Sequence, residues 1–244
     1  MRKRLIATLT DAMDYWVSAR VFGKDLSKSH KGLQGPSIAG AFERAGRKFL
    51  HVGCGTERKP NVPPCFLAED WQEIRVDIDP SAEPDILCST IDMARVPHAS
   101  VDAVYSSHNI EHLYAHEVPL ALAEFFRVLK PGGFLLMTCP DLQAICRIVA
   151  DGMLNEPLYT SQVGPIFPLD ILYGYRPQIA AGNLFMAHRT GFVLQSLGEA
   201  LRSAGFCSVA GRPPGSSLDL WVVATSALLS EDELGTLAKQ HLPQ

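Results

Sequence analysis

The chain has 244 residues and is 47% hydrophobic, a composition that allows one domain with a sizeable core. No apolar run approaches the length of a membrane span, and Asp11 and Asp14 interrupt the apolar start too early for a signal peptide. The six cysteines occur singly, without a Cys-x-x-Cys pair, which predicts reduced thiols in a cytoplasmic protein.

The net charge of −4 is unevenly distributed along the chain. Residues 1–48 contain ten Lys or Arg and four Asp or Glu, a balance of +6, so the remaining residues carry −10. Gly32, Gly35 and Pro36 interrupt this segment, and we predict a helical cap or arm over residues 1–47. Its charge suits an anionic substrate or partner, or a solvated surface arm. Because basic and aromatic residues are not interleaved, we expect no nucleic-acid partner.

A strand that runs into a glycine-rich turn follows this segment. Residues 48–53 predict the strand, and Gly53-Cys54-Gly55 forms the turn. Residues 73–78 predict a second strand, near the end of which lies Asp77. Glycine allows the backbone to turn sharply and to lie against a ligand, and a carboxylate can accept hydrogen bonds from both hydroxyls of a ribose. A strand, a glycine turn and an acid in this order predict the ribose-binding half of a nucleoside-cofactor site.

The residues after the glycine turn limit which cofactor this can be. A dinucleotide site has a third glycine, but Arg58 stands at that position, and the prolines in residues 59–64 prevent a regular helix. The helix N-terminus that binds a pyrophosphate is therefore expected to be absent or very short. This argues against an NAD-type oxidoreductase. S-adenosylmethionine contains ribose and adenine but no phosphate, and it fits the pattern.

The rest of the chain alternates predicted strands with predicted helices. Further strands are expected over residues 84–88, 101–106, 132–138, 206–210 and 218–225. Apolar residues at helical spacing predict helices over residues 118–129 and 194–204, followed by Pro131-Gly132-Gly133 and by Gly205 respectively. A last helix begins at Ser230 with a capping-box spacing, and we assign residues 228–244 to it. This alternation predicts an α/β fold with a mainly parallel sheet covered on both faces.

Five stretches follow one another at the spacing of a known family. They are His51-Val52-Gly53-Cys54-Gly55, Val76-Asp77-Ile78-Asp79-Pro80, Val101-Asp102-Ala103-Val104-Tyr105-Ser106-Ser107-His108, Glu111-His112-Leu113 and Arg127-Val128-Leu129-Lys130-Pro131-Gly132-Gly133. Over roughly residues 48–225 the chain resembles the class I S-adenosylmethionine-dependent methyltransferases, in particular the type-11-like group. The resemblance implies a Rossmann-like, doubly wound, mainly parallel seven-stranded sheet with helices on both faces and one antiparallel strand, here residues 218–225. The family usually has an acid where His51 stands and often a third glycine where Glu57 stands.

The resemblance also implies where S-adenosylmethionine would bind. We expect it over the glycine turn, with its ribose at Asp77 and its adenine near Asp92. Either acid could instead cap a turn. The residues assigned to the cofactor are His51, Gly53, Cys54, Gly55, Asp77, Ile78, Asp92, Met93 and Ser107.

Residues 141–192 exceed the minimal fold and contain several aromatic residues and prolines. Within a methyltransferase domain spanning residues 48–227, we predict this insertion to be a substrate lid; a structural flap over the sheet edge is the alternative. Methyl transfer needs alignment, and it needs a base only where the acceptor must lose a proton. The candidate catalytic residues are His108 after the fourth strand, Asp141 after the fifth and His188 in the insertion.

Three histidines, His108, His112 and His116, would share a face with Glu111 if this stretch were helical. A zinc hydrolase is the corresponding alternative, but the spacing is not His-Glu-x-x-His, and we predict no metal.

We predict a methyltransferase that acts on a small-molecule or glycan-type acceptor. The alternative is a non-catalytic protein that binds S-adenosylmethionine or S-adenosylhomocysteine as a scaffold or sensor, which His51 favours. The acceptor atom and the oligomeric state stay open at this point.

Overall fold

The computed structural model describes residue 42 and residues 45–56, 58, 61–161, 163–212 and 218–243. The predicted N-terminal cap lies almost entirely outside these residues. The strands within the described residues are β1 (Arg47–Val52), β2 (Trp71–Asp77), β3 (Ile86–Leu87), β4 (Val101–Ser107), β5 (Leu129–Pro140), β6 (Tyr159–Ser161), β7 (Gly164–Ile166), β8 (Ser208–Gly211) and β9 (Asp219–Thr225). The α-helices there are α1 (Val118–Val128), α2 (Leu142–Ala150), α3 (Pro168–Tyr173), α4 (Arg176–Ala180), α5 (Leu194–Ser203) and α6 (Glu231–His241).

The main sheet of the described part has seven strands in the order β3-β2-β1-β4-β5-β9-β8. The strands from β3 to β5 are all parallel to one another, and β9 is antiparallel to both of its neighbours. This confirms the predicted α/β, Rossmann-like architecture and its antiparallel strand. From β1 the chain proceeds outward through β2 to β3, and it then returns to β4 on the other side of β1. The crevice at the carboxyl ends of β1 and β4 is therefore the topological switch point, where open α/β sheets bind ligands.

Each face of the sheet has its own apolar core. One face packs against α1 and α5 through Leu122, Phe125 and Leu201, all of them fully buried. This agrees with the helical spacing of apolar residues in the sequence, because residues three or four apart share one side of a helix. Residues 49–52 of β1 and 133–139 of β5 are buried and mostly apolar, as expected of strands covered on both faces.

The other face carries an aromatic cluster instead of a long crossover helix. The ring of Phe66 stacks on Phe49 with their centroids 4.3 Å apart, and it also stacks on Phe134 at 6.0 Å. Phe66 lies in a 3-10 turn, Pro64–Phe66, in the proline-rich connection where the sequence predicts no regular helix. The C-terminal helix α6 covers the same face, and its His241 ring lies 4.1 Å from Phe134.

Several predicted boundaries differ from the observed ones. The strand expected over residues 84–88 is reduced to Ile86–Leu87, which pairs with β2 alone. Strand β5 begins at Leu129, directly after α1, so Pro131-Gly132-Gly133 lies inside the strand. Proline disfavours a helical conformation in the residue before it, which explains why the helix ends by Val128. The register shift between β4 and β5 near Val101 accommodates the irregular start of β5.

The insertion of residues 141–192 is closed at its base. Asp141 and Phe192 form an isolated parallel bridge, and the amide of Leu142 donates to the carbonyl of Phe192 at 3.0 Å. Between these ends lie α2, the hairpin of β6 and β7, α3 and α4. At Gly174, with φ of +93°, an added Cβ would overlap the carbonyl of Met186. Glycine at this position allows the connection between α3 and α4 to approach the backbone of Met186 closely.

None of the helices in the described ranges combines the length and apolar character needed to cross a membrane. The six cysteines are free thiols, of which Cys54, Cys88 and Cys139 are buried while Cys146 and Cys207 are exposed.

Candidate active site

The glycine turn lies at the switch point, at the carboxyl end of β1. Gly53 and Gly55 have φ of +67° and +49°, a conformation that residues with a Cβ rarely adopt. A Cβ on Gly53 would overlap the side chain of Asn109, which follows β4. A Cβ at Gly55 would meet no atom of the described residues within 4 Å, so these residues leave this side of the turn open for a ligand. Asn109, which sequence reasoning missed, therefore leaves room only for glycine at position 53.

Asp77 lies opposite the turn at the end of β2. One of its carboxylate oxygens accepts the amide of Gly55 at 2.8 Å, and the other accepts the amide of Asp79 at 2.9 Å. Each oxygen of an ionised carboxylate has two acceptor positions, so one remains on each for a ribose hydroxyl. The side chain is only half-buried. These features fit the ribose of S-adenosylmethionine, while Ile78 is half-buried beside it.

Arg75 is a second residue that sequence reasoning missed. Its buried guanidinium donates from Nη2 to the carbonyl oxygens of Gly55 and Ala82 and from Nη1 to that of Glu83. It thereby joins the glycine turn to the loop after β2. A charged residue inside an otherwise buried parallel strand is the signal that could have indicated this role, because a buried charge requires partners.

His51 is buried on the aromatic face of the sheet. Its Nδ1 lies 2.7 Å from Oε1 of Glu73 in the neighbouring strand, and its ring centroid is 5.0 Å from that of Tyr105. The structure therefore places a carboxylate beside His51, supplied by β2 rather than by β1. Burial raises the pKa of the Cys54 thiol in the glycine turn to about 12, so this thiol is neutral.

The predicted adenine residues, Asp92 and Met93, lie in a loop fixed by an ion pair of α1. Asp92 is exposed, and its Oδ1 accepts the amide of Ala94 at 3.3 Å. The amide of Met93 donates to Oε2 of Glu124 at 2.8 Å, and its side chain is fully buried. Burial alone would raise the pKa of Glu124, but its hydrogen bonds to Arg127 and Met93 outweigh this and lower it. Asp92 is thus more accessible to a ligand than Met93.

His108 occupies the carboxyl end of β4 with a half-exposed side chain and φ of +46°. Its Nδ1 lies 3.3 Å from Oε1 of Glu111, and its Nε2 lies 3.7 Å from Oδ1 of Asp219, the first residue of β9. Loss of hydration alone would lower the pKa of His108, but the two carboxylates outweigh this effect and raise it. Ser107, the last residue of β4, is half-buried beside it.

Glu111, His112 and His188 form a cluster next to His108, which contacts Glu111. One potential ligand atom from each of the three lies within 4.8 Å of the others. The histidine rings meet edge to face with their centroids 4.9 Å apart. Burial lowers the pKa of His188 in spite of the nearby Glu111 carboxylate. The fold therefore brings His188 of the insertion to the loop that follows β4.

Asp141, in contrast, caps a helix. It is 3% exposed, and its Oδ1 accepts the amides of Gln143 and Ala144 in the first turn of α2. Such capping uses the carboxylate for the unpaired amides of the helix N-terminus. Within the described part of the chain, the Asp141 carboxylate bonds to these two amides and not to His108 or His188.

The three histidines His108, His112 and His116 do not form one helix face. His108 has a left-handed backbone, Ile110–His112 forms a single 3-10 turn, and the ring of His116 stacks on that of Tyr114 at 5.7 Å. A zinc site built on this helical spacing is therefore excluded by the backbone of this segment.

A family model described as a methyltransferase domain matches residues 50–137, which include the glycine turn, Asp77 and the end of β4. A Mycolicibacterium smegmatis protein named as a probable S-adenosylmethionine-dependent methyltransferase is 33% identical over 107 residues. This part of the chain is therefore similar to S-adenosylmethionine-dependent methyltransferases. The alignment with that relative spans 41% of this chain and 41% of the relative. S-adenosylmethionine is the cofactor of this methyltransferase family.

Two solved structures are also similar to this chain. A SAM-dependent methyltransferase from Archaeoglobus fulgidus is 14% identical, covering 75% of this chain and 88% of that chain with a TM-score of 0.47. A Burkholderia thailandensis 1,6-didemethyltoxoflavin-N1-methyltransferase, solved with 1,6-didemethyltoxoflavin and S-adenosylhomocysteine, is 17% identical. The alignment covers 89% of this chain and 88% of the Burkholderia protein, with a TM-score of 0.43.

Proposed function

We propose that this protein transfers a methyl group from S-adenosylmethionine to a small-molecule or glycan-type acceptor. The observation that carries the proposal is the joint geometry of Gly55 and Asp77 at the switch point. The described residues leave the outer side of Gly55 open, while Asp77 positions the turn and retains acceptor capacity for a ribose. When bound, S-adenosylmethionine supplies the methyl group on an already reactive sulfonium. The residues of the protein therefore mainly have to align the acceptor.

The acceptor side of the proposed site is the carboxyl end of β4. His108 is half-exposed there, and the carboxylates of Glu111 and Asp219 surround its ring. We assign His108 to contact with the acceptor. Residues 141–192 would act as the lid, because the base of this insertion is bonded to the loop after β4: the amides of Arg189 and Thr190 both donate to the carbonyl of Glu111.

The charge of the protein supports a small acceptor over a nucleic acid. Outside residues 1–48 the chain carries −10, and a polyanion would be repelled by this surface. Exposed aromatic residues in the insertion, Tyr159, Tyr173 and Phe185, offer flat surfaces suited to the ring of a small molecule or a sugar.

Calorimetric titration with S-adenosylhomocysteine tests the cofactor part of the proposal. We expect micromolar binding by the wild-type chain and a loss of about tenfold or more in Asp77→Asn, since the weakened acceptor then serves both the turn and the ribose. Asp70→Asn is the matched control, because Asp70 is an exposed acid before β2 that pairs with Arg47. Equal affinities of the Asp77 and Asp70 variants would contradict the assignment.

A non-catalytic role as a scaffold or sensor is the second candidate, and the environment of His51 favours it. The position that usually carries the family's acid holds a buried histidine already engaged with Glu73. Formation of S-adenosylhomocysteine from S-adenosylmethionine in the presence of amine, hydroxyl and sugar acceptors distinguishes the enzyme from the scaffold or sensor. Acceptor-dependent release supports the enzyme, whereas tight binding without release across the panel supports the scaffold.

A further inference from the structure

The carboxylate of Glu111 is buried without a hydrogen bond. The residue is 1% exposed, and neither Oε1 nor Oε2 accepts a hydrogen bond from the described residues. His108 Nδ1 lies 3.3 Å from Oε1, close enough for an ion pair, but this contact involves one of the two oxygens and lacks hydrogen-bond geometry. Burying a carboxylate is unfavourable unless it is paired or binds a metal, and His108 pairs with only one of its two oxygens, so the other oxygen is available to a further cation.

Anchoring of the insertion does not explain the Glu111 side chain. The backbone carbonyl of Glu111 accepts the amides of Arg189 and Thr190, at 2.8 Å and 3.2 Å, and the guanidinium of Arg189 donates to the carbonyl of His112. These contacts would form equally well with an apolar side chain at position 111. The acid at this buried position therefore serves cationic neighbours, of which His108 is one.

Two imidazoles lie beside this carboxylate, and each has its Nδ1 at a backbone carbonyl. His112 Nδ1 lies 3.2 Å from the carbonyl of Ala187, and His188 Nδ1 lies 2.8 Å from the carbonyl of Ile171. Because a carbonyl can only accept, Nδ1 of each ring carries the proton, and the lone pair of the neutral ring is on Nε2. Metal-binding histidines typically donate their other ring N–H to a carbonyl or carboxylate in this way.

There is also space beside the carboxylate. A cavity of about 20 Å³ is lined by Glu111 and His188 and otherwise mainly by apolar residues, including Cys139, Leu142 and Phe192. A volume of this size can hold one water molecule or one ion.

We propose that Glu111, His112 and His188 bind a divalent transition-metal cation, with Zn²⁺ as the best fit to two imidazoles and one carboxylate. One potential ligand atom of each residue already lies within 4.8 Å of the others, and binding would draw the three to about 2 Å from the cation. Three protein ligands leave a coordination position for water or for an oxygen of an acceptor. The sequence predicted no metal, because His188 joins Glu111 and His112 only through the fold of the insertion.

Zinc titration of the full-length chain tests this site directly. The protein is freed of metal with a chelator, kept reduced with a phosphine, and titrated with Zn²⁺ by calorimetry. We expect one Zn²⁺ per chain, with binding weakened by at least about 100-fold in Glu111→Gln and in His188→Gln. His116→Gln and Glu199→Gln are matched controls of the same residue types at exposed positions and should bind like the wild type. Absence of binding, or binding that survives both site substitutions, overturns the proposal.

A second measurement uses the wild-type chain alone, in case the variants fail to fold. Diethylpyrocarbonate acylates neutral histidines, and peptide mass spectrometry locates the modified positions. We expect saturating Zn²⁺ to protect His112 and His188 but to leave the exposed His98 and His116 unaffected. Equal modification of His112 and His188 with and without Zn²⁺ overturns the proposal. Neither readout depends on methyl transfer, so the result is independent of the proposed function.

Discussion

Arg75 and Asp77 bind opposite ends of the same residue in the glycine turn. The guanidinium of Arg75 donates to the carbonyl of Gly55, and the carboxylate of Asp77 accepts its amide. Residues two apart on a strand share a face of the sheet, which places both side chains beside the turn. Strand β2 therefore determines the conformation of the loop that we propose to contact the cofactor.

Arg75→Met should loosen this turn. It removes the donors to Gly55, Ala82 and Glu83, and we expect the affinity for S-adenosylhomocysteine to fall by about tenfold through a less ordered loop. Arg75→Lys should restore little of this affinity, because one ammonium group cannot donate to the several carbonyls that the planar guanidinium reaches. Calorimetry provides the measurement, with Arg47→Met as a control at an exposed arginine. Unchanged affinity in Arg75→Met would show that the turn does not need this contact.

Removing one member of the buried pair of His51 and Glu73 should lower the free energy of unfolding more than removing both. His51→Leu leaves the Glu73 carboxylate in a nearly buried position without its closest partner, and we expect it to lower the free energy of unfolding by about 3 kcal/mol. The double variant His51→Leu/Glu73→Leu should recover most of this loss, because no charge then remains in the aromatic core. Urea unfolding of the wild type, both single variants and the double variant measures the coupling between the two side chains. If their effects on the free energy of unfolding are strictly additive, the two side chains do not interact.

The local sequence pattern was sufficient to predict the strands and helices of the main sheet, but it did not predict their polar contacts. The apolar strands and the helical spacing around Phe125 and Leu201 predicted the order of elements and the core they form, because these depend on periodicity. The partnership of His51 with Glu73 could not be predicted, because it depends on the register of two strands that the sequence does not specify. Pairing of parallel strands is fixed by tertiary packing rather than by a turn.

The same limit applies to the acceptor side. The sequence singled out His108 and His188 separately, but it could not place His188 against His112, because a folded insertion separates them. Helical spacing of the three histidines suggested a shared face, whereas the left-handed backbone of His108 breaks that continuity. Asp141 was a candidate for catalysis by its position after β5, and the same position also suits a helix cap.

The buried Asp170 gives the insertion a pH-dependent contribution to stability. Burial alone would raise the pKa of Asp170, but its bonds to Arg176 and to the amide of Phe167 outweigh this and lower it. A lowered pKa means that the stabilisation is present above about pH 4, the ordinary value for Asp, and is lost as the pH falls through the folded-state pKa. The contribution should therefore be complete at pH 7.

Asp170→Asn should lower the melting temperature at pH 7 by about 2–4 °C. The difference in melting temperature from the wild type should shrink below about pH 4. Thermal unfolding followed by circular dichroism over a pH series gives this comparison. Asp151→Asn, at an exposed position after α2, should show no such trend. A difference that stays constant down to low pH would mean that the charge of Asp170 is not what stabilises the insertion.

Substitutions at Asp141 separate a capping role from a catalytic one. Its Oδ1 accepts the amides of Gln143 and Ala144, and Ser can make equivalent bonds at a helix N-terminus. Asp141→Ser should therefore leave the stability nearly unchanged, whereas Asp141→Ala should lower it by about 1 kcal/mol. If the residue only caps α2, the release of S-adenosylhomocysteine by Asp141→Ser should match the wild type in the acceptor assay. If the carboxylate takes part in methyl transfer, both variants lose activity even though Asp141→Ser folds normally. The serine variant thus decides between the two roles, because it keeps the hydrogen bonds of the cap and removes the charge.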